Sequence, residues 1–181
     1  QAVRAGTIIQ RIRGFVKRSQ PQRRESDLRE MVADAVGLAE LEATRRGITI
    51  LTRLPADLPH LYVDPVLIEQ VLVNLIRNAI DATAEAPQSA SAAVHVGVEP
   101  DEKWVRITVR DFGAGIPADV LPRLFEPFFT TKDEGQGLGL GLAISLAIIE
   151  DFGGRLEGRN AGDGTPGAEF IIELERVVKP T

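Results

Sequence analysis

A chain of 181 residues, 44 % of them apolar, suits one domain with an appendage and can bury roughly 70 % of its unfolded surface at this size. It contains no cysteine, which excludes disulfides and thiolate metal sites, and its two histidines, His60 and His95, cannot build a zinc site unaided. The net charge of −5 is uneven: the first 24 residues carry seven basic residues (Arg4, Arg11, Arg13, Lys17, Arg18, Arg23, Arg24) and no acid, so two segments with different jobs are expected.

In residues 1–18 apolar side chains fall at Val3, Ile8, Ile9, Ile12, Phe15 and Val16, with basic residues between them. This predicts an amphipathic helix whose stripe must pack on something. The basic stretch holds a single aromatic and no binding motif, so it reads as a solvated helix face and no nucleic acid is expected. No apolar run is long enough to span a bilayer and no signal-peptide pattern is present, so a soluble piece without direct membrane contact is expected. Ser19-Gln20-Pro21-Gln22 reads as a hinge, because the residue before proline disfavours helix. The division is expected near 19–24, giving segments 1–24 and 25–181.

Asp27 is placed to cap a helix that runs to Arg46 and stops at Gly47. Ile48 to Leu54 alternates like a strand, Pro55 to Pro59 is a loop, and Leu61 to Val63 is a short strand. Asp64-Pro65 is a cap followed by proline at the first helical position, and that helix runs to about Glu85. After a loop at 86–92, Val94 to Glu99 and Lys103 to Asp111 form a hairpin around Pro100-Asp101. Residues 112–136 show little periodicity and one helical turn. A helix from about Leu138 to Phe152 ends at Gly153-Gly154, and Arg155 to Arg159 and Glu169 to Glu175 are closing strands. Three helices against a mixed sheet of about five strands make a two-layer α/β sandwich.

Asn74, Asn78 and Asp81 are spaced i, i+4, i+7 and share one face of an otherwise apolar helix. Unpaired buried amides cost about 1–3 kcal/mol each, so this polar stripe needs partners. Either it caps a loop, or it meets a hard cation and phosphates, since magnesium takes oxygen ligands and keeps several waters. Asp111-x-Gly113-x-Gly115 follows a strand end. It is either an ordinary turn or a carboxylate that accepts from an exocyclic amine such as that of adenine, with glycines that let the backbone approach a flat ring. Phe125, Phe128 and Phe129 hold three of the seven phenylalanines and read as anchors docking a mobile lid on the core. Lys132, at the lid edge, is either a solvated charge or a partner for a γ-phosphate. Gly137-Leu138-Gly139-Leu140-Gly141 opens a helix, whose N-terminal amides suit an anion. There is no GxxxxGK[ST] and no G-x-G-x-x-G after a strand, so neither a P-loop nor the Rossmann fingerprint is present.

Four motifs occur in one order: Asn74-Leu-Ile-Arg-Asn78-Ala-Ile-Asp81, Asp111-Phe-Gly113-Ala-Gly115, Phe125-Glu-Pro-Phe128-Phe129-Thr-Thr-Lys132 and Gly135-Gln-Gly137-Leu138-Gly139-Leu140-Gly141-Leu. Together they resemble the N, G1, F and G2 boxes of the ATP-binding domain of sensor histidine kinases, in the wider group of the Hsp90, gyrase and MutL ATPases. The resemblance covers nearly the whole chain. It implies the Bergerat ATP-binding fold and binding of ATP with Mg²⁺, with Asn78 as metal ligand and Asn74 and Lys132 beside it in the catalytic site. It also implies nucleotide contacts from Asp81, Asp111, Gly113, Gly115, Lys132, Gly137, Leu138, Gly139, Leu140 and Gly141. The related hydrolytic ATPases carry a water-activating glutamate where this chain has Asn74. An amide is never a base, so phosphoryl transfer to a protein acceptor is implied. Gly162-Asp-Gly164-Thr-Pro-Gly167-Ala168-Glu-Phe170 resembles the last glycine box, with Ala168 where many members have threonine.

Neither His60 nor His95 is followed by an acidic residue, as the phosphoacceptor of these kinases usually is. Residues 1–18 look like the second helix of a dimerisation hairpin whose first helix would bear that histidine. The chain is therefore expected to be a fragment. Its implied partners are that hairpin, a response-regulator receiver domain and a second copy through residues 1–18, in the cytoplasm. Asn-Leu-Ile-Arg-Asn-Ala with Phe-Phe-Thr-Thr-Lys looks most like the oxygen- and dicarboxylate-sensing kinases (FixL-like and DctB-like).

Overall fold

The structure, a computed structural model, describes residues 21–86, 92–131 and 139–177. The amphipathic stretch 1–18, Ser19 and Gln20 lie outside the described residues, as do Lys132, Gly137 and Leu138.

Two aspartates start the two long helices. The Asp27 carboxylate accepts from the Arg29 amide at 2.7 Å and opens α1 (Leu28–Arg45). The Asp64 carboxylate accepts from the Val66 amide at 3.1 Å and opens α2 (Pro65–Ala84), with Pro65 in the first turn. α1 buries Leu28, Met31, Val32, Ala35, Ala39 and Ala43, and α2 buries Ile68, Val71, Leu72, Leu75, Ile76 and Ile80. Each set follows helical spacing, so each helix turns one apolar face to a shared core.

The main sheet has five strands: β2 (Thr49–Arg53), β4 (Ala93–Pro100), β5 (Trp104–Arg110), β6 (Arg155–Asn160) and β7 (Ala168–Glu175). Their spatial order is β2-β4-β5-β7-β6. β2 runs parallel to β4, which requires the crossover that α2 supplies, and the other pairs are antiparallel. Val94, Val96, Val98, Val105, Ile107, Val109, Ile172 and Leu174 alternate toward the helices and are buried. The opposite face carries ion pairs, among them Arg106–Glu173 at 2.8 Å and Arg159–Glu169 at 3.0 Å. Exposed pairs of this kind contribute about 0–1 kcal/mol each, so the apolar face holds the two layers together. Among the described residues between β5 and the third helix, α3 (Gly141–Asp151), lies one 3-10 turn at Leu121–Arg123. Three helices on a mixed five-stranded sheet form the expected α/β sandwich.

Three local features differ from the sequence reading. The short strand β3 (His60–Val63) does not join the main sheet. It pairs antiparallel with a strand the sequence reading missed, β1 (Arg24–Asp27). β1 reads Arg-Glu-Ser-Asp, which has no apolar residue and hence no periodic signal. Gln22, the last residue of the stretch read as a hinge, and Arg23 after it both bond to the domain. The Gln22 amide donates to Asp64 at 2.8 Å, and the Arg23 guanidinium donates to the Asp151 carbonyl at 2.7 Å and pairs with its carboxylate at 3.1 Å. Finally, α3 spans Gly141–Asp151, so among the described residues its first is Gly141. Gly139 has φ +65°, a left-handed conformation that a right-handed helix does not pass through. Among the described residues, no helix is long and apolar enough to cross a membrane.

Candidate functional site

A cleft of about 910 Å³ opens between α2, α3 and the loops that join β5 to α3. α2 contributes Asn74, Asn78 and Asp81 to its wall, the predicted polar face of that helix. The loop after β5 contributes Ala114 and Gly115, the segment before α3 contributes Phe129, Thr130 and Thr131, and the start of α3 contributes Gly139, Leu140 and Gly141. Motifs separated by up to 67 positions of chain thus face one cavity.

Asn74 is held between two elements. Its Nδ2 donates to the hydroxyl of Ser145 on α3 at 3.0 Å, and Ser145 is 2 % exposed. On the other side the amide lies against Gly141, where a Cβ would fall 2.4 Å from Oδ1. A glycine is required there because any side chain would displace the amide. Asp81 pairs with Arg46, just past α1, at 2.9 Å, so the carboxylate at the cleft wall is partly neutralised.

Asp111 and Gly113 adjoin the lining residues Ala114 and Gly115 and are not themselves among them. Asp111 is 4 % exposed. Its Oδ1 accepts from the amides of Gly113 at 2.9 Å and Ala168 at 3.1 Å. Burial pushes its carboxyl above the usual aspartate range, while the two amides and the neighbouring Arg110 pull the other way. A Cβ on Gly113 would fall 2.6 Å from the Ala82 carbonyl, which explains the close seating of this loop on α2. Ala168, in place of a threonine, serves through its backbone.

The three phenylalanines divide. Phe125 packs against the core and Phe129 lines the cleft. Phe128 is 53 % exposed, with φ 64°, and its amide donates to the Gly139 carbonyl at 2.9 Å. That bond couples the loop to the start of α3 and turns the ring outward. The two histidines stand away from the cleft. His60 bonds Glu25 in the small sheet at 2.7 Å, and His95 packs edge-on to Phe112, ring centroids 4.8 Å apart.

Sequence reasoning missed several residues that shape the site. Ser145 was legible as the lone hydroxyl in an apolar helix. Asn160, which brackets Ile116 by accepting from its amide at 2.6 Å and donating to its carbonyl at 2.9 Å, gave no local signal. Nor did Thr83, whose hydroxyl accepts from the Phe112 amide at 3.3 Å, or Arg46.

Residues 63–177 match the family of histidine kinase-, DNA gyrase B- and HSP90-like ATPases. The chain is 38 % identical over 174 residues to the sensor protein FixL of Bradyrhizobium diazoefficiens, covering 96 % of this chain and 33 % of the relative. It is 40 % identical over 166 residues to the C4-dicarboxylate transport sensor protein DctS of Rhodobacter capsulatus, covering 91 % of this chain and 25 % of the relative. The chain thus spans a third or less of these curated relatives' length. Among solved structures, the catalytic domain of histidine kinase ThkA superposes with a TM-score of 0.73 at 31 % identity, covering 86 % of this chain and 96 % of that one. Full-length ShkA in complex with AMPPNP superposes with a TM-score of 0.73 at 27 % identity, covering 88 % of this chain and 32 % of that one. With its motifs gathered round one cleft and these matches over most of its length, the chain belongs to the histidine kinase-, DNA gyrase B- and HSP90-like ATPase family, as an ATP-binding catalytic domain of the sensor histidine kinase type.

Proposed function

We propose that the chain passes the γ-phosphoryl group of ATP to a histidine on a dimerisation hairpin, for relay to an aspartate on a response regulator. The observation that carries this reading is Asn74. An amide stands where hydrolytic relatives carry their basic carboxylate, and it is locked by Ser145 and Gly141 at the cleft wall. It can orient a phosphate or its bound water but cannot take a proton from water. In-line transfer then needs a nucleophile from outside the cleft. His60 and His95, both engaged elsewhere, are not that nucleophile.

The residues fit a magnesium nucleotide. The cleft volume lies in the range of small-molecule sites. The side-chain oxygens of Asn78 and Asp81 are hard donors on one helix face, and Asn78 is the proposed metal ligand. A magnesium ion takes hard oxygen ligands and keeps several waters, so an amide oxygen together with phosphates suits it. Magnesium, when bound, neutralises charge on the phosphate oxygens. Gly139, Leu140 and Gly141 bring the N-terminus of α3 to the cleft wall, and the amides of a helix N-terminus favour anions such as phosphate. Asp111, fixed through Oδ1, keeps Oδ2 as an acceptor for an exocyclic amine of the base.

The same proposal includes residues 1–24 as the second half of the hairpin and hinge, and a homodimer through residues 1–18. It includes Lys132 at the γ-phosphate and a cytoplasmic location. A relative's structure pairs ThkA with the response regulator TrrA, superposing with a TM-score of 0.74 at 30 % identity, which supports a receiver domain as partner. The test is incubation with γ-labelled ATP and magnesium. Acid-labile label should reach a supplied histidine-bearing hairpin and not the chain itself, and Asn78→Ala should abolish transfer. Label on His60 or His95, or rapid phosphate release from the chain alone, would refute the reading.

A further inference from the structure

We infer that Arg110 and Asp163 are positioning residues for base recognition: through the turn between β6 and β7 they hold the Ala168 amide that aims Asp111. The inference rests on the proposed reading of Asp111 as the acceptor for the nucleotide base. Arg110 precedes Asp111 at the end of β5 and, by strand alternation, projects from the opposite face of the sheet. Its side chain is only 12 % exposed. The guanidinium donates to both oxygens of Asp163, at 2.7 Å and 3.1 Å, in the two-pronged geometry that only arginine offers a carboxylate. It also donates to the Thr165 hydroxyl and, at 3.4 Å, to Glu169. It lies over the Phe112 ring, 4.8 Å from its centroid. Phe112 is the residue on the other side of Asp111.

The turn gripped in this way leads directly to Asp111. Asp163 accepts from the Thr165 amide at 3.0 Å and from its hydroxyl at 2.6 Å, which closes the turn on itself. Two residues on, Gly167 has φ +122°, and a Cβ there would fall 2.1 Å from the Asp111 carbonyl oxygen. The next residue, Ala168, donates to Asp111 Oδ1 at 3.1 Å and accepts from the Asp111 amide at 3.0 Å. Asp111 is therefore aimed through the turn 161–167, whose side-chain anchorage to β5, among the described contacts, runs through Arg110. Arg110 and Thr165 hold the Asp163 carboxyl well below the usual range, so the grip stays charged at any working pH.

A merely structural ion pair would change stability and leave the choice of base alone. The two are separated by calorimetric affinities of the 181-residue chain for Mg·ADP and Mg·GDP, with thermal unfolding run beside them. The unaltered chain should prefer ADP. Arg110→Gln and Asp163→Asn should each weaken ADP binding on the order of tenfold and leave GDP nearly unchanged, the effect of one misdirected hydrogen bond. The two together should be no worse than either alone, and Arg110→Lys should recover part of the preference. Should Arg110→Gln fail to fold, Thr165→Val, in the exposed turn, carries the same comparison. Unchanged ADP preference in the folded variants, or parallel loss of both nucleotides, overturns the inference while leaving Asp111 as acceptor. An unaltered chain that shows no preference sinks the reading of Asp111 and the inference with it.

Discussion

Gly141→Ala is a sharp probe of the site, because two effects of opposite sign meet there. Alanine in a helix is favoured over glycine by roughly 0.5–1 kcal/mol, through backbone entropy. At Gly141 the new methyl would sit 2.4 Å from Asn74 Oδ1, 3.0 Å from its Cγ and 3.2 Å from its Nδ2. The whole amide must swing away, and the 3.0 Å bond to the buried Ser145 hydroxyl breaks. Stranding those groups costs about 1–3 kcal/mol, so the clash wins by roughly 1–2 kcal/mol. For a chain of this size that is a fall in Tm of roughly 3–6 °C. Gly37→Ala is the control: it lies exposed in α1, with nothing within 4 Å of the added Cβ, and should gain roughly 0.5–1 kcal/mol. Circular dichroism of the two variants reads both signs. In an Asn74→Ala background the clash has no partner, and Gly141→Ala should become neutral or stabilising. If Gly141→Ala raises Tm as Gly37→Ala does, or costs the same in both backgrounds, the locked amide is refuted.

Ser145→Ala leaves the Asn74 amide without its partner and should cost about 1 kcal/mol of stability while weakening Mg·ATP binding, by chemical denaturation and calorimetry; a variant with unaltered affinity would remove Ser145 from the site. Burial raises the Asp111 carboxyl, so it takes up its proton at a higher pH than an ordinary aspartate and loses its acceptor character first. ADP affinity should therefore fall on acidification, starting above the usual aspartate range, with a flat and weak profile for Asp111→Asn; constant affinity down to about pH 4 would contradict this. Asp163 is shifted the other way, so the stability it contributes is complete above the ordinary value of 3.8 and is lost as pH falls through its lower folded value. The stability gap between the unaltered chain and Asp163→Asn should accordingly narrow as pH falls below 3.8, and a gap in urea titrations that is as large at about pH 2 as at about pH 5 would count against the Arg110 pairing.

Local spacing was enough to read the parts of this protein that depend on one element. Asp27 and Asp64 announce their helices because a cap acts on amides two residues away. The valines and isoleucines of β4 and β5 announce their buried face because side chains alternate along a strand. Asn74, Asn78 and Asp81 could be placed on one face from helical geometry alone, and they do line one cleft.

What escaped was set by partners far along the chain. β1 has no apolar residue, so only its pairing with β3 makes it a strand. Ser145 meets Asn74 across 71 positions, and Ala168 meets Asp111 across 57. Phe128 looked like its neighbours in composition, yet its backbone bond to Gly139 turns it outward. A sequence states which groups must be buried or satisfied, through periodicity and hydrogen-bonding capacity. Which group satisfies them is decided when the β2-β4-β5-β7-β6 sheet and the helices on it bring distant segments within hydrogen-bonding distance.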